Sequence, residues 1–440
     1  MRLWDIMPCV EDYRNGVNKG MGISTCKGIY EIIRRTLSMV NRNIVNHGEV
    51  VGYMVSKMLE YEKVYTHAEI VNYTIVAMLH DIGMYREENI KNVADFENIV
   101  IWEHSVYGYL FLKYFTPLGN LADIVLYHHL DYKKLKVVES KHEHIIECLA
   151  LADQMDTYMQ QKSGTMDKSY FMNNMDVKFS RAALELFFKA DAKYGILKHL
   201  SDGSYKDELN ELLDKFELNE RERRAYLDML VYTIDFRSEF TVIHTMSTVN
   251  FAQQLGRLLR LSSVDLKNLY YGALLHDLGK LAIPVEILES PGRLSDADME
   301  IMRSHVTITR EILDGIVDDD IRDIAARHHE KLDGTGYPAG LTEKDLTFPQ
   351  QIVAVADILS ALYGKRSYKE SFDADRIKDI LRSDADNGKI SKKAVDCLMR
   401  NYDTIIKNYE KEKANTVGLY LMIKQKYDEI MPGFRALGNK

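Results

Sequence analysis

Cysteine is scarce. Cys9, Cys26, Cys148 and Cys397 are the four in 440 residues, and no two form a CxxC. That excludes a zinc ribbon and a thioredoxin-like redox pair, and it argues against a disulfide framework in so long a chain. Proline is equally sparse, with seven residues, while Leu, Met, Lys and Glu are plentiful. Long helices are expected and an all-β sandwich is not. Surplus positive charge is also missing: 57 Lys and Arg stand against 66 Asp and Glu, a net charge of −9. Without excess cations to release counterions, a protein that coats polymeric nucleic acid or an anionic membrane is not expected. No apolar run approaches the roughly 18 residues of a membrane span. Asp5 and Pro8 sit where a signal peptide would have its apolar core. These absences predict a reduced, cytoplasmic protein. A prior of about 150 residues per domain allows two or three domains.

What is present is a pattern in the 14 histidines. The second half contains His244, His276-Asp277, His305, His328-His329 and Asp357 in the apolar run Ile352–Asp357. The first half contains His47, His80-Asp81, His104, His128-His129 and Asp153 in Cys148–Asp153. The five sites are offset by 197, 196, 201, 200 and 204 residues, in the same order. Local words repeat as well: Ala77-Met-Leu-His-Asp-Ile-Gly83 echoes Ala273-Leu-Leu-His-Asp-Leu-Gly279, and Lys178-Phe-Ser180 echoes Lys389-Ile-Ser391. An internal duplication is the simplest reading, with one domain over 1–215 and another over 216–440. Residues Leu209–Arg224 are charge-dense with leucines at helical spacing, which predicts a helical joint, and Asn408–Lys426 predicts a terminal helix.

On a helix from Ser263 to about Leu281, His276 and Lys280 share a face with Leu269 and Ala273, and Asp277 lies about 100° round. His244 shares a face with Phe251 and Leu255 and should point inward. Asp357 is deep in an apolar helix, where an unpaired carboxylate is costly unless a cation meets it. Taken singly, each residue is most simply an ordinary core histidine or a paired acid. Five histidines and two aspartates in fixed order, occurring twice, fit a dinuclear metal site better. Imidazole and carboxylate donors suit iron or manganese, with nickel, cobalt or zinc as alternatives, and the lack of thiolates disfavours a closed structural zinc site.

His244, His276-Asp277 and Asp357 resemble the H…HD…D signature of the HD-domain metallophosphohydrolases. His276-Asp-Leu-Gly-Lys280, His305 and His328-His-Glu-Lys-Leu-Asp-Gly-Thr-Gly-Tyr-Pro338 are similar to the HD-GYP subfamily, whose members hydrolyse cyclic dinucleotides. The resemblance covers roughly residues 235–400 and implies an all-α fold of two tandem HD-type helical bundles. It implies His244, His276, Asp277, His305, His328, His329 and Asp357 as ligands of two divalent ions. Asp277 would bridge the ions and a hydroxide that attacks phosphorus. Lys280 would neutralise developing charge, and Arg366 and Lys369 would clamp phosphate oxygens. The Gly334/Gly336/Pro338 loop would be a tight turn with positive dihedrals beside the metal site, with Gly336 and Tyr337 at the substrate and Tyr337 either touching substrate or packing the loop. Some family members recruit a third metal through a Glu four residues before the first His. Phe240 stands there, so two metals are expected.

The expected reaction opens a 3′,5′-cyclic dinucleotide, cyclic di-GMP or cyclic GMP–AMP, to the linear form. The ligand set does not distinguish guanine from adenine. A general HD phosphohydrolase of mononucleotides or alarmones and a non-catalytic cyclic-dinucleotide-binding module are the alternatives. A homodimer is left open. The first half keeps His47, His80, Asp81, His104, His128, His129 and Asp153 as a second candidate metal site. It lacks the GYP loop, carries Met84 in place of the helix lysine, and has Lys162 and Thr165 where the clamp would be. Metal binding there is an open expectation, and independent turnover is not expected. The half is either a decayed packing or dimerisation partner or a regulatory module.

Overall fold

Side chains at the helix starts set much of the local structure. Thr66 opens the His67–Met78 helix with a reciprocal capping box to Glu69. Ser262 and Ser295 accept the backbone N–H three residues on at the starts of Ser263–Leu275 and Asp296–Leu313. Pro349 lies in the first turn of Phe348–Tyr363, where its missing N–H costs nothing. The structure is a computed structural model and describes residues 25–86, 101–162, 164–235, 239–288, 290, 292–364 and 372–438. Among these residues the regular elements are all helical, and β pairing is confined to isolated bridges. The all-α expectation holds.

The chain forms two compact units, Ile23–Met229 with Met422–Lys440, and Leu230–Leu421. The division therefore falls at 229/230 and not at 215/216. The physical reason is long-range: Cys26 N–H donates to Phe216 O at 2.9 Å and Thr25 bridges Glu217, which ties this segment to the first unit. The expected joint is two helices, Tyr205–Asp214 and Glu220–Asp235, interrupted at the pinned residues. Leu209 and Leu213 are buried one turn apart on the former. The terminal helix runs over Lys392–Gly438, beyond both expected ends. Its final part belongs to the first unit, where Tyr427 stacks on Tyr107 with ring centroids 4.3 Å apart and Phe434 meets Trp102 and Tyr127.

In the first unit, Arg42–Glu62 packs on His67–Met78 and Glu143–Gln161. In the second, Glu239–Leu258 packs on Phe348–Tyr363 and Ser263–Leu275. Ser263–Leu275 approaches Asp319–Ala326 so closely at Gly272 that a Cβ there would lie 2.3 Å from Ile324 Cγ2. Fully buried Phe251, Leu255, Leu269, Ile352 and Leu359 fill this core, each contributing about 1.5–3 kcal/mol of burial. The imidazoles and carboxylates lie in the middle of these packed helices.

Candidate metal centre

In the second unit, His244 comes from Glu239–Leu258, His305 from Asp296–Leu313 and Asp357 from Phe348–Tyr363, while His328 and His329 follow Asp319–Ala326. All seven expected ligands converge. Asp277 divides its oxygens: Oδ2 lies 3.5 Å from His244 Nε2 and 3.2 Å from His276 Nε2, and Oδ1 lies 3.6 Å from His305 Nε2 and 3.8 Å from His328 Nε2. Asp357 Oδ1 is 3.0 Å from His244 Nε2, and Oδ2 is 3.8 Å from His329 Nδ1. The side chains fall into groups able to hold a cation, His244/His276/Asp357 and His305/His328/His329, with Asp277 between them.

Three rings are oriented by their own helices. His276, His305 and His328 donate Nδ1–H to the carbonyls of Ala273, Met302 and Ala325 at 2.6–2.7 Å. A carbonyl only accepts, so each ring presents Nε2 to the centre. His244 donates Nδ1–H to Ser360 Oγ at 2.9 Å, and Ser360 donates to His244 O at 3.0 Å. His276 Nε2 and Asp277 Oδ1 are buried with no hydrogen-bond partner. The 3.2 Å approach of His276 to Asp277 is therefore an electrostatic contact, too poorly aligned for a hydrogen bond. Buried acceptors aimed at one another are costly, and a divalent cation relieves that cost. The donor set fits two such ions.

The helix expected to run to Leu281 instead ends at Leu275, and a 3₁₀ turn follows over Leu278–Ala282. His276 and Asp277 sit at this break. The tighter turn swings Lys280 onto Asp277, with which it forms an ion pair. The turn is pinned from below: Thr309 Oγ1 accepts from Gly279 N–H at 2.9 Å and donates to His276 O at 3.0 Å. A Cβ on Gly279 would lie 2.0 Å from His305 O, so only glycine allows the turn to rest on the His305 helix.

The GYP loop differs in part from expectation. Gly334 and Gly340 carry the positive φ values, 78° and 64°. Gly336 is needed for a different reason: its Cβ would meet Lys331 N at 2.3 Å and Glu330 Cα at 2.5 Å. The Tyr337 ring lies 4.9 Å from the His329 ring, and the Arg303 guanidinium sits 5.1 Å over the Tyr337 ring. The buried Glu330 carboxylate holds the loop by accepting from Ala339 N–H at 2.7 Å and Leu341 N–H at 2.9 Å. Arg366 and Lys369 lie outside the described residues, as does the side chain of Phe240.

Electrostatics divide the donors into two sets. Burial pushes His305 down to about 3 and His329 to about 4, and it holds His328 well below the imidazole range, so these rings are neutral donors at pH 7. Burial also opposes protonation of His276, yet Asp277 and Asp357 overcome it and raise that ring to about 10. Burial would raise the Asp277 carboxyl, but His276 and Lys280 hold it well below the usual carboxylate range. Positive charge is wanted between the two aspartates.

The first unit repeats much of this geometry. Asp81 Oδ2 faces His80 Nε2 at 3.3 Å and His47 Nε2 at 3.9 Å, and Oδ1 faces His104 Nε2 at 3.3 Å and His128 Nε2 at 3.9 Å. Asp153 lies 3.0 Å from His47 and 3.5 Å from His129. Smaller contacts recur too. Tyr132 N–H donates to Lys178 O as Leu332 N–H does to Lys389 O, both at 2.9 Å. Gly83 rests on His104 O as Gly279 does on His305 O.

Residues 215–393 match the family model described as HD domain. Over that stretch the chain is similar to the HD-domain family. It is 27% identical to the 3′3′-cGAMP-specific phosphodiesterase 1 of Vibrio cholerae over 84% of this chain and 90% of that protein. It is 36% identical to the cyclic di-GMP phosphodiesterase response regulator RpfG of Xanthomonas campestris over 42% of this chain and 49% of that protein. The fold is similar to the crystal structure of a cyclic GMP–AMP-specific phosphodiesterase of V. cholerae, with TM-score 0.52 and 16% identity over 86% of this chain and 97% of that one.

Four contributors escaped sequence reasoning: Ser360, Thr309, Glu330 and Arg303. Glu330 had a signal, since it directly follows the paired histidines inside the GYP word. The others act through contacts distant in sequence.

Proposed function

We propose that the second unit is a metal-dependent phosphodiesterase that opens a 3′,5′-cyclic dinucleotide to its linear form. The observation that carries this reading is Asp277, whose two oxygens serve two groups of imidazoles while Lys280 sits on the same carboxylate. His244, His276, Asp277, His305, His328, His329 and Asp357 would hold the ions, iron or manganese being the metals the donors suit best. Bound divalent cations supply Lewis-acid stabilisation of phosphoryl charge and activation of water near neutral pH.

The chain's own groups do the rest. Lys280, partly exposed beside Asp277, neutralises charge developing on the phosphoryl oxygens. Arg366 and Lys369 are assigned to the phosphates as well, which answers how a chain of net charge −9 holds an anionic substrate. Tyr337, tilted against the His329 ring and with the Arg303 guanidinium over its own ring, forms an aromatic and cationic wall suited to a nucleotide. The relative matched over most of both chains is named for 3′3′-cGAMP, which makes the mixed dinucleotide the first substrate to test and cyclic di-GMP the second. No described helix is long and apolar enough to cross a membrane.

The test is product analysis on metal-loaded protein with both cyclic dinucleotides, a mononucleotide and an alarmone. Linear dinucleotide from either cyclic substrate is the expected result. Hydrolysis of only the mononucleotide or alarmone would replace this reading with a general phosphohydrolase. Tight binding without product would replace it with a signalling module.

A further inference from the structure

The first unit's cluster is not a copy of the second, and the differences run in one direction. Asp156 stands three residues after Asp153, where the second unit has Ser360 three after Asp357. His47 Nδ1 donates to Asp156 Oδ2 at 2.6 Å, while Nε2 lies 3.0 Å from Asp153 Oδ1. A carboxylate behind a ligating imidazole makes it a stronger donor than a hydroxyl does. Met84, itself buried, occupies the place of Lys280 in the repeated word. Among the described residues the first centre thus holds Asp81, Asp153 and Asp156 without a lysine, and the second holds Asp277 and Asp357 with Lys280. Two divalent cations would leave one net positive charge in the first and three in the second. The first is built to hold cations and the second to draw an anion.

The unpaired atoms point the same way. His80 and His128 donate Nδ1–H to Ala77 O at 2.7 Å and Val125 O at 2.6 Å, which turns their Nε2 lone pairs inward. Those two Nε2 atoms and Asp153 Oδ2 are buried without any hydrogen-bond partner. The donors form two groups, Asp81/His104/His128/His129 and His47/His80/Asp153.

Access is narrower as well. The most open ligand side chain is His129 at 14% exposure, against 28% for His329 in the second unit. Beside Asp81, the cavity walled by Tyr30, Ile33, Leu37, Met78 and Ile82 measures about 20 Å³, room for about one water.

We propose that the first unit carries a second, resident centre of two divalent transition-metal ions, held more tightly than those of the second unit and without hydrolytic activity. The test uses the full chain loaded with Mn²⁺ and dialysed against chelator of rising strength, with metal counted by mass spectrometry. Wild type is expected to lose about two ions early and retain about two. His276→Ala/Asp277→Ala should keep the retained pair, with a melting temperature that rises on adding Mn²⁺ and with no cyclic dinucleotide cleavage. His80→Ala/Asp81→Ala should lack the retained pair. Asp156→Ser provides a milder variant with the ligands intact, and its retained ions should be released at about 10- to 100-fold weaker chelation. Loss of all metal from His276→Ala/Asp277→Ala would overturn the proposal, as would unchanged retention in Asp156→Ser. Cleavage by His276→Ala/Asp277→Ala would overturn the non-hydrolytic assignment. Because metal is counted independently of substrate, failure here is separable from failure of the phosphodiesterase reading.

Discussion

Glu330→Gln isolates the coupling between the GYP loop and the metal centre. Glu330 is 3% exposed, and its two oxygens accept from Ala339 N–H at 2.7 Å and Leu341 N–H at 2.9 Å. Glutamine keeps the shape and one acceptor, but it turns an amide donor toward the other N–H. One hydrogen bond to a charged group is lost and a backbone donor is stranded, a cost of about 2–4 kcal/mol. Because the loop closes on itself through these two bonds, the cost falls on local opening. Protection of the Ala339 and Leu341 amides against hydrogen exchange should drop by about 30- to 700-fold. Metal content should hold, since the ligand rings are fixed by helix carbonyls and Ser360. Turnover should fall as Tyr337 loses its position beside His329. Unchanged exchange at the two amides would refute the reasoning, and so would global unfolding with loss of metal.

Three further outcomes follow from the geometry. Lys280→Met, which copies Met84 of the first unit, should lower kcat by about 10²–10³ with metal retained, and steady-state kinetics beside metal analysis would expose an unchanged kcat. Gly279→Ala would press a Cβ against His305 O and Thr309 N, backbone atoms that cannot yield, so the second unit should lose metal and melt lower, as metal counting and calorimetry would register. Burial pushes the Asp228 carboxyl up to about 7, with Arg224 opposing. The folded state then binds the proton more tightly than the unfolded state, so stability is full below about pH 4 and falls as pH rises toward 7. The loss is at most about 4 kcal/mol, and Asp228→Asn should flatten that part of the pH–stability curve in urea titrations from pH 4 to 8. An identical slope in the variant would contradict it.

The His/Asp cluster is legible in the sequence because metal chemistry leaves few residue types to choose from and the pattern occurs twice. Helix periodicity turns His244 and Asp357 inward, and the structure has Asp357 buried and His244 half-buried against it. It failed at His276, since nothing in Leu274–Lys280 signals that the helix tightens into a 3₁₀ turn; packing of Gly279 on His305 O decides that. The same blindness hid Ser360, Thr309 and Asp156, whose roles depend on partners 30 to 116 residues away. The tie between Cys26 and Phe216 leaves no trace in the sequence because the two meet only in the folded chain. Gly336 was read as a dihedral requirement, and the structure makes it a contact requirement.

The central claim is that the second unit's His/Asp cluster is the hydrolytic metal centre. Its most direct test is metal content and cyclic GMP–AMP and cyclic di-GMP turnover, measured together on anaerobically purified wild type, His276→Ala/Asp277→Ala and His80→Ala/Asp81→Ala. The account predicts that the first variant loses about two ions and all turnover, while the second still cleaves cyclic dinucleotide. Turnover that survives in His276→Ala/Asp277→Ala, or that disappears only in His80→Ala/Asp81→Ala, would contradict it.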